Sequence, residues 1–258
     1  MPNERRTQIR DYIDARGEAT VAELLELCGN CSSMTLWRDL NFLEQEGAIR
    51  RTRGGAISMR SIQPDIEGLY SQRAQEHTAE KRAIARAAAQ FVQTSHAVYM
   101  DAGSTLMGVA RYLPDQHFTI ITSGANIAIE LSQRRSCNVI AVGGQISGNT
   151  LSFSGPQAEA VLDSVNIDTA LMATSGYSLS GGFTSGSFSE RELKRKVIEK
   201  ASRVIMLMDH SKIGRSLPFT FASLEEIDVL VTDAPLPRDI AAEAKKHSVQ
   251  VVVASEEE

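Results

Sequence analysis

Three short stretches at the start of the chain carry apolar residues at the three- and four-residue spacing of a helix. The apolar positions are, stretch by stretch, Ile9, Tyr12 and Ile13, then Leu24 and Leu27, then Leu36, Leu40 and Leu43. This spacing predicts helices over residues 4–16, over Val21–Leu27 and from Ser32 to about residue 46. Thr20 is suited to cap the second helix, because Glu23 three residues later completes a capping box.

Two short runs of strand-forming residues follow the third predicted helix. Ile49–Arg53 and Ala56–Ser58 flank a pair of glycines, a pattern that favours a small hairpin. Three short helices and a hairpin make residues 1–58 a small domain of their own. Residues 59–76 contain proline and glycine and show no sustained period, so we predict a linker there.

From His77 to the end of the chain, short apolar runs alternate with helical patterns. The predicted strands are Ala97–Met100, Phe118–Thr122, Asn138–Val142, Thr169–Ala173, Arg203–Met208, Val229–Thr232 and Val249–Val253. The predicted helices are Thr78–Gln93, a helix that ends at Tyr112, residues 125–132, Gln157–Leu162, Glu190–Ala201 and Pro237–Lys246. This alternation predicts an α/β domain over residues 77–258, with a mostly parallel sheet that helices cover on both faces.

The composition is that of a folded protein in a reducing compartment. Of the 258 residues 42% are hydrophobic and 23% are charged, which provides enough apolar material for a sizeable core. The sequence contains no run of 18 apolar residues, so no membrane span is predicted. The polar start of the chain lacks the apolar centre of a secretory signal. Three cysteines cannot form a disulfide framework, so we expect a cytoplasmic protein.

The charge balance gives no reason by itself to expect nucleic-acid binding. The net charge is −5, from 27 basic and 32 acidic residues. The first 60 residues hold nine arginines, no lysine and nine acids, so their net charge is zero. A DNA-binding surface must therefore come from the local placement of basic residues.

Two helices joined by a tight turn and followed by a hairpin fit a winged helix-turn-helix, in which the N-terminal part of one helix meets base edges. With three leucines of the third helix facing the core, Ser33, Trp37, Arg38 and Asn41 would lie away from it. Arginine and asparagine are suited to bidentate contacts with guanine and adenine. On the hairpin, Arg50, Arg51 and Arg53 could reach phosphates or the minor groove.

A structural alternative applies to the same residues. A small three-helix unit can serve protein contacts alone, and arginines on a hairpin are commonly solvated. Trp37 can pack beside Leu40 at the edge of the core instead of contacting DNA.

The third helix and the hairpin resemble the signature of DeoR-type bacterial transcriptional regulators. The resemblance rests on Ser32-x-x-Thr35-Leu36-Trp37-Arg38-Asp39-Leu40, on Leu43-Glu44-x-x-Gly47 and on Arg51-x-Arg53-Gly54-Gly55-Ala56. Trp37 stands where the family usually has arginine, and Arg53 where it usually has histidine, which bears on the operator sequence and not on the fold. The candidate DNA-binding residues are Ser32, Ser33, Thr35, Trp37, Arg38, Asn41, Arg50, Arg51 and Arg53.

Cys28 and Cys31 have the spacing of a redox or zinc motif. A zinc site needs four ligands, and no other cysteine or histidine lies within the first 76 residues, so no metal site is predicted. A thioredoxin-like motif belongs beside a strand in a βαβ unit. We therefore predict packing within the helix turn, with a thiol sensor as the alternative, and we expect Cys137 in the core.

Two strand-to-helix turns later in the chain have the composition of anion-binding loops. Asp101-Ala102-Gly103-Ser104-Thr105 follows one predicted strand, and Thr122-Ser123-Gly124-Ala125-Asn126 follows the next. Helix N-termini bind anions through unpaired N–H groups and the helix dipole, and hydroxyls add donors. For each turn, a helix cap without a ligand is the alternative. Neither turn continues as a Walker motif and no dinucleotide fingerprint is present, so no cofactor is predicted.

The second domain also resembles the DeoR-type sensor domain, whose motifs it carries in order. Besides the turn at Asp101 these are Thr122-Ser123, Gly143-Gly144, Gly155-Pro156, Ala173-x-Ser175-Gly176, Glu190-x-x-x-Lys194-Arg195 and Asp209-x-Ser211-Lys212. In the family this domain is similar in fold to ribose-5-phosphate isomerase and glucosamine-6-phosphate deaminase, and it senses phosphorylated sugars or related metabolites. The resemblance implies Gly103, Ser104 and Thr105 on the phosphate and Asp101 on sugar hydroxyls.

The resemblance also implies Lys194 and Lys212 as further anion contacts. The candidate effector-binding residues are then Asp101, Gly103, Ser104, Thr105, Thr122, Ser123, Gly124, Lys194 and Lys212. Ser123 stands where the family usually has asparagine, which bears on selectivity. Lys194 has an alternative as a solvated charge, because its predicted helix also carries Arg191, Arg195 and Lys196.

These resemblances predict a homo-oligomeric regulator that binds double-stranded operator DNA. We expect a repressor of carbohydrate-metabolism genes that a phosphorylated sugar or related metabolite releases from its operator, with an activator as the alternative. A sugar-phosphate isomerase or deaminase is the alternative from another class. Such an enzyme needs a positioned general base, and no Asp-Asp or Asp-x-x-Asp stands near a glycine-rich turn, so catalysis is not predicted.

Overall fold

The computed structural model describes residues 2–16, 18–29, 31–46, 48–52, 54–58, 67–93 and 96–255. The chain forms two compact units, Met1–Ile66 and Glu67–Glu258. Of the predicted linker, residues 59–66 lie outside the described ranges, and the rest contains a short helix, Tyr70–Arg73. None of the helices in these ranges combines the length and the apolar character that crossing a membrane requires.

The first unit holds three helices and a small sheet. Its elements are α1 (Pro2–Arg16), β1 (Glu18–Thr20), α2 (Val21–Cys28), α3 (Ser33–Gln45), β2 (Ile49–Arg51) and β3 (Gly55–Ser58). The helices and the hairpin are as the periodicity predicts. Strand β1 was not predicted, because three residues are too few to show a period; it pairs with β3, giving the antiparallel order β1-β3-β2.

The core of the first unit consists largely of leucine and isoleucine positions that the helical spacing selected, together with Ile49 of β2. The fully or almost fully buried side chains are Ile9, Ile13, Leu24, Leu36, Leu40, Leu43 and Ile49. The capping box at the start of α2 is present, with the Glu23 backbone N–H donating to Thr20 Oγ1 at 3.3 Å. Gly55 is required where β3 meets β1, because a Cβ there would lie 2.0 Å from the Ala19 carbonyl oxygen.

The second unit is an α/β domain with a large central sheet. Its helices are α4 (Tyr70–Arg73), α5 (Thr78–Ala89), α6 (Ser104–Tyr112), α7 (Ala125–Ser132), α8 (Pro156–Asp163), α9 (Phe188–Lys200) and α10 (Arg238–Lys246). Its sheet strands are β4 (Ala97–Met100), β5 (Phe118–Thr122), β6 (Cys137–Ala141), β9 (Ile167–Ala173), β12 (Ala201–Leu207), β14 (Val229–Thr232) and β15 (Gln250–Val253). Cys137, expected in the core, is half-buried at the start of β6.

The seven strands of the large sheet are all parallel, in the order β15-β14-β12-β9-β4-β5-β6. The chain builds outward from β4 in one direction and then from β9 in the other, so the direction of winding reverses between these two strands. Helices α5, α6 and α7 cover one face of the sheet, and α8, α9 and α10 cover the other. Alternate residues such as Val98 and Tyr99 therefore enter different cores, and both are fully buried.

The sequence pattern did not predict the antiparallel additions to this domain. These are the hairpin of β7 (Gln145–Ile146) with β8 (Phe153–Ser154), and a sheet of β10 (Gly176–Ser178), β11 (Gly182–Ser185) and β13 (Phe219–Ala222). Each strand has only two to four residues, and β13 joins its sheet from more than 30 residues away. Local periodicity carries no signal for such pairs.

Candidate functional site

Helix α3 presents a polar face to solvent, which we call the α3 face: Ser33, Met34, Arg38 and Asn41. All four side chains are exposed. Met34, Arg38 and Asn41 follow the i, i+4, i+7 spacing of one helix face, opposite the buried leucines. Arg38 and Asn41 have no side-chain partner among the described residues. Their donors are therefore open to an external ligand.

The N-terminus of α3 is fixed by its own polar residues. Ser32 is the N-cap, and its Oγ accepts from the Thr35 backbone N–H at 3.2 Å. Its hydroxyl also lies 2.9 Å from the hydroxyl of Thr35. These contacts use both hydroxyls within the helix, so Ser32 and Thr35 position α3 and offer less to a ligand than the exposed residues do.

Trp37 occupies the position that the packing alternative assigned to it. Its side chain is half-buried and packs against the core of the first unit. The Arg51 guanidinium carbon lies 5.9 Å from the centre of its ring. Trp37 thus connects α3 with the hairpin and keeps only part of its ring in water.

Asp39, a member of the family signature to which no role was given, anchors α3 on α1. It is 2% exposed and accepts from Arg5 Nε at 2.6 Å and from Arg6 Nε at 2.8 Å. Burial alone would raise the pKa of Asp39, but the two guanidinium groups outweigh it and hold that pKa below its ordinary value. The ion pairs set the orientation from which the α3 face points outward.

The hairpin arginines are less free than the sequence suggests. Arg51 donates through its backbone N–H and through Nε to Glu44, at 2.9 and 2.6 Å, which ties β2 to the end of α3. Arg53 and the side chain of Arg50 lie outside the described residues. The described part of the wing therefore offers one guanidinium group, and a carboxylate already pairs with it.

Cys28 and Cys31 are half-buried and pack against the core of the first unit. Desolvation and the neighbouring thiol raise the pKa of Cys28 to about 11. A thiol with so high a pKa is protonated and unreactive near neutral pH, which favours packing over sensing.

A polar pocket opens in the second unit at the carboxyl ends of β4 and β9. This is the point at which the winding of the sheet reverses, where open α/β sheets bind ligands. The pocket is lined by Glu67, Arg73, Lys81, Ala102, Gly103, Ser104, Thr105, Thr150, Ala173, Thr174, Ser175, Glu190, Lys194 and Lys212. Five of the nine candidate effector-binding residues, Gly103, Ser104, Thr105, Lys194 and Lys212, are in that wall.

The turn before α6 gives the pocket an anion-binding helix N-terminus. Gly103 is the N-cap with φ of 140°, a conformation that side chains other than glycine rarely adopt. Ser104 and Thr105 form the first helical positions, where backbone N–H groups have no partner within the helix. The Ser104 hydroxyl is 3.5 Å from the Arg73 carbonyl oxygen and can turn toward a ligand.

Four cationic residues, Arg73, Lys81, Lys194 and Lys212, line the same pocket. Lys194 and Lys212 were predicted from the sequence, whereas Arg73 and Lys81 were not. Desolvation lowers the pKa of Lys81, whose Nζ donates to the carbonyl oxygens of Arg73 and of Glu76, the latter at 2.8 Å. Lys212 is 9% exposed, and its Nζ lies 3.7 Å from Asp209. No signal in the sequence joins residues so far apart along the chain.

Asp101 supports the pocket from behind and does not form its wall. It is 2% exposed, and its Oδ1 accepts from the Ala102 N–H at 2.9 Å. Its Oδ2 accepts from the Ala173 N–H at 3.1 Å and from Lys194 Nζ. Asp101 thus forms a buried ion pair that positions Lys194, and its contact with sugar hydroxyls stays a prediction.

Lys194 is not a solvated charge on the surface of its helix. It is 8% exposed, and its Nζ donates to the Ala173 carbonyl oxygen at 3.0 Å as well as to Asp101. The charged residues around it on α9 behave differently, since Arg195 and Lys196 pair with exposed or half-exposed acids.

The turn at Thr122–Gly124 is not part of the pocket wall, although its composition resembles that of the first turn. Thr122 and Ser123 are fully buried. Thr122 Oγ1 donates to the Met100 carbonyl oxygen at 2.7 Å and accepts from the Gly124 N–H at 3.0 Å. Ser123 Oγ accepts from the Ala102 N–H at 3.2 Å, so this turn braces the first turn.

Two acids, Glu67 and Glu190, also line the pocket, and the sequence did not predict them. Glu190 is 6% exposed and accepts from Thr150 Oγ1 at 2.5 Å. Burial, followed by the negative charge of Glu67, raises the pKa of Glu190. The wall thus combines cations and a helix N-terminus with two acids, which suits a ligand with an anionic group and hydroxyl groups. The cavity has a volume of about 40 Å³.

Comparisons with known proteins divide the chain in the same two parts. Residues 5–62 match the DeoR-like helix-turn-helix domain, and residues 76–234 match the DeoR C terminal sensor domain. The chain is 34% identical to the HTH-type transcriptional regulator GlpR of Haloferax volcanii, covering 98% of both chains. It is 32% identical to a putative aga operon transcriptional repressor of Escherichia coli, covering 98% of this chain and 94% of that one.

Among solved structures, ribose 5 phosphate isomerase A from Neisseria gonorrhoeae is similar over 53% of each chain. The sequence identity is 14% and the TM-score is 0.39. The sequence relatives match over nearly the full length of the chain, whereas this structural likeness covers only about half of it.

Proposed function

The chain belongs to the DeoR family of DNA-binding transcriptional regulators, and we propose that it represses carbohydrate-metabolism genes until a phosphorylated sugar releases it. As a member of this family it is a regulator and not an enzyme, and its partners are operator DNA and a small-molecule effector. Repression, the phosphate on the effector and a homo-oligomeric state are the proposed parts.

The observation that carries the proposal is the convergence of Arg73, Lys81, Lys194 and Lys212 on the N-terminus of α6. Guanidinium and ammonium groups bind phosphate through charge-assisted hydrogen bonds, and helix N-termini add N–H donors. The nearby acids Glu67 and Glu190 can accept from sugar hydroxyls. Thr122, Ser123 and Gly124 would act indirectly, by bracing the turn that holds Ser104.

For the DNA-binding unit we propose that the α3 face enters the major groove. Arg38 and Asn41 would read bases, with Ser33 beside them and Trp37 at the margin. Met34, 69% exposed, can contact a thymine methyl group. A single small reader gives limited affinity, so symmetric half-sites and a homo-oligomer would supply the rest.

Release from DNA requires that the effector favour a form of the protein that does not bind the operator. Shifting such an equilibrium from 1:99 to 99:1 needs about 5.5 kcal/mol of differential affinity, roughly 10⁴-fold. Several charge-assisted hydrogen bonds of about 1.5–3 kcal/mol each can supply it. Four cations can therefore supply this difference in affinity, provided that they bind the effector in only one form of the protein.

The test has a DNA part and an effector part. The operator is first selected from random DNA with the full chain, and its binding is then followed by gel shift as sugar phosphates are added. We expect one sugar phosphate to release the DNA, and a chain that lacks residues 1–58 to bind no operator. Operator binding by that shorter chain, or a reporter that loses expression when the gene is deleted, would contradict the proposal.

A further inference from the structure

The second unit begins with a segment, Glu67–Arg73, that is held against the effector pocket. Glu67 Oε1 accepts from Ser185 Oγ at 3.2 Å and from the Gly186 N–H. The Tyr70 N–H donates to the Asn149 carbonyl oxygen at 2.7 Å. The segment ends in α4, and both Glu67 and Arg73 line the pocket. It therefore contributes one charge of each sign to the pocket.

Arg73 has donors that nothing in the described part of the chain accepts. Its Nε and Nη2 are buried, and neither has a hydrogen-bond partner there. Leaving a buried charged donor unpaired costs free energy, and native proteins rarely do so without a function. An acceptor that enters the pocket from outside would satisfy both nitrogens.

The geometry of a guanidinium group narrows the chemistry of that acceptor. Its planar fork presents parallel N–H groups that match two oxygens of a phosphate or a carboxylate. The backbone of Arg73 is fixed, because Lys81 Nζ donates to its carbonyl oxygen and the Ser104 hydroxyl lies 3.5 Å from the same atom. The backbone of Arg73 is thus held by side chains of α5 and α6, while its guanidinium donors stay without a partner in the described residues.

The negative charge of Glu67 repels the same anionic ligand. An anion bound on Arg73 would enter a pocket whose wall includes the Glu67 carboxylate, and like charges at close range repel. Binding would therefore pull on one end of Glu67–Arg73 and push on the other. Glu67 is the first residue of the second unit, so the segment that would respond lies at the N-terminal boundary of that unit.

We propose that Arg73 is the ligand of the effector's anionic group and that Glu67, repelled by that group, makes the segment Glu67–Arg73 respond to occupancy. This rests on the proposed function, since it assigns the anion contact and the responding segment within the same effector pocket. Arg73 binds the phosphate directly, and Glu67 tunes the affinity with the opposite sign.

The test uses the full chain and two variants of opposite expected effect. Calorimetry with D-glucose 6-phosphate, D-ribose 5-phosphate and inorganic phosphate measures binding to wild type, Arg73→Met and Glu67→Gln. We expect Arg73→Met to weaken the phosphates that bind by about 10- to 100-fold. Glu67→Gln keeps an acceptor for Ser185 and Gly186 but removes the charge, so we expect binding about 3- to 10-fold tighter.

The melting temperature without ligand separates a ligand-binding role from a structural one. Removing an uncompensated buried charge should leave the melting temperature of Arg73→Met unchanged or higher. Arg135→Met, at an exposed arginine, is the matched control and should leave phosphate binding unchanged. A fall of several degrees in Arg73→Met, or phosphate affinity equal to that of wild type, would overturn the proposal. If wild type binds none of the three phosphates, the proposed phosphate effector fails together with it.

Discussion

On the α3 face, Arg38 and Asn41 are exposed and have no partner in the described residues, whereas in the effector pocket Lys194 is buried against Asp101. The α3 face can be open because DNA brings its own dense negative charge and needs only correctly spaced donors. A small anion offers few contacts, so the pocket must remove water and hold its cations in place beforehand. On the α3 face the DNA supplies the regularly spaced charges, whereas in the effector pocket the protein itself must position the charges before the ligand binds.

The largest effect is expected from removing the hydroxyls of the pocket turn. Ser104→Ala combined with Thr105→Ala removes two donors from the N-terminus of α6, and hydrogen bonds to a charged group are worth about 1.5–3 kcal/mol each. We therefore expect effector affinity to fall about 100-fold or more, measured by calorimetry with the sugar phosphate that releases the operator. Ser164→Ala, at an exposed serine, is the control. An unchanged affinity would show that the pocket turn is only a helix cap.

A smaller effect is expected from breaking the ion pairs that orient α3. Asp39→Ala leaves Arg5 and Arg6 without their acceptor. We expect a cost of about 2–3 kcal/mol, below the range for fully buried pairs because both guanidinium groups keep part of their surface in water. Trp37 is the single tryptophan of the chain, so its fluorescence follows the unfolding of the first unit. Phosphate binding to the second unit should persist, and its loss would contradict this separation.

Arg38 should matter for sequence recognition and little for general DNA affinity. A bidentate contact with one base contributes about 1–3 kcal/mol of discrimination, so Arg38→Ala should weaken operator binding by that amount. Binding to a scrambled sequence should change much less. Fluorescence anisotropy with both DNAs measures the difference, and Arg10→Ala on the exposed side of α1 is the control. Equal losses on both DNAs would instead indicate a phosphate contact.

These two regions also differ in how much of them the sequence predicts. The spacing of Leu36, Leu40 and Leu43 identifies the buried side of α3, and the opposite residues follow from helix geometry alone. In the pocket, strand-to-helix turns identify Ser104, but they select Thr122 equally well. The turn at Ser104 differs from the turn at Thr122 because it lies beside β4, where the direction of winding reverses. That reversal is a property of the assembled sheet and cannot be read from the local sequence.

The residues of the pocket that the sequence missed share one property. Arg73 lies in a segment without a periodic pattern, and Glu190 and Lys81 lie on helices where a charged residue normally predicts solvent. Their burial depends on neighbours that are distant in sequence. Only the match of the Glu190-x-x-x-Lys194 pattern to the family pointed to any of these residues, and it did not predict that they are buried or what they contact.

Opposite pH dependences are expected for the two units. Folding favours ionised Asp39, whose pKa is lowered, so its contribution is present above the ordinary value of 3.8 and is lost as the pH falls through the folded pKa. Folding favours protonated Glu190, whose pKa is raised, so its contribution is present below 4.5 and is lost as the pH rises through the folded pKa. The free energy of unfolding of each unit is measured against pH, with Trp37 fluorescence for the first unit and circular dichroism for the second. Glu190→Gln should reduce the pH dependence of the second unit.

The smallest effect is expected at Arg51 on the hairpin, because its guanidinium group already pairs with Glu44. If Arg51 contacts one phosphate, Arg51→Ala should lower the slope of log Kd against log salt by about one unit, on operator and scrambled DNA alike. Glu44→Gln keeps an acceptor for the Arg51 backbone N–H and removes the competing charge, so it should strengthen binding to both DNAs. Arg51 would then behave as a cation that Glu44 holds back from the DNA. A loss confined to the operator, with an unchanged salt slope, would place Arg51 on a base instead and would make the hairpin part of the sequence-reading surface.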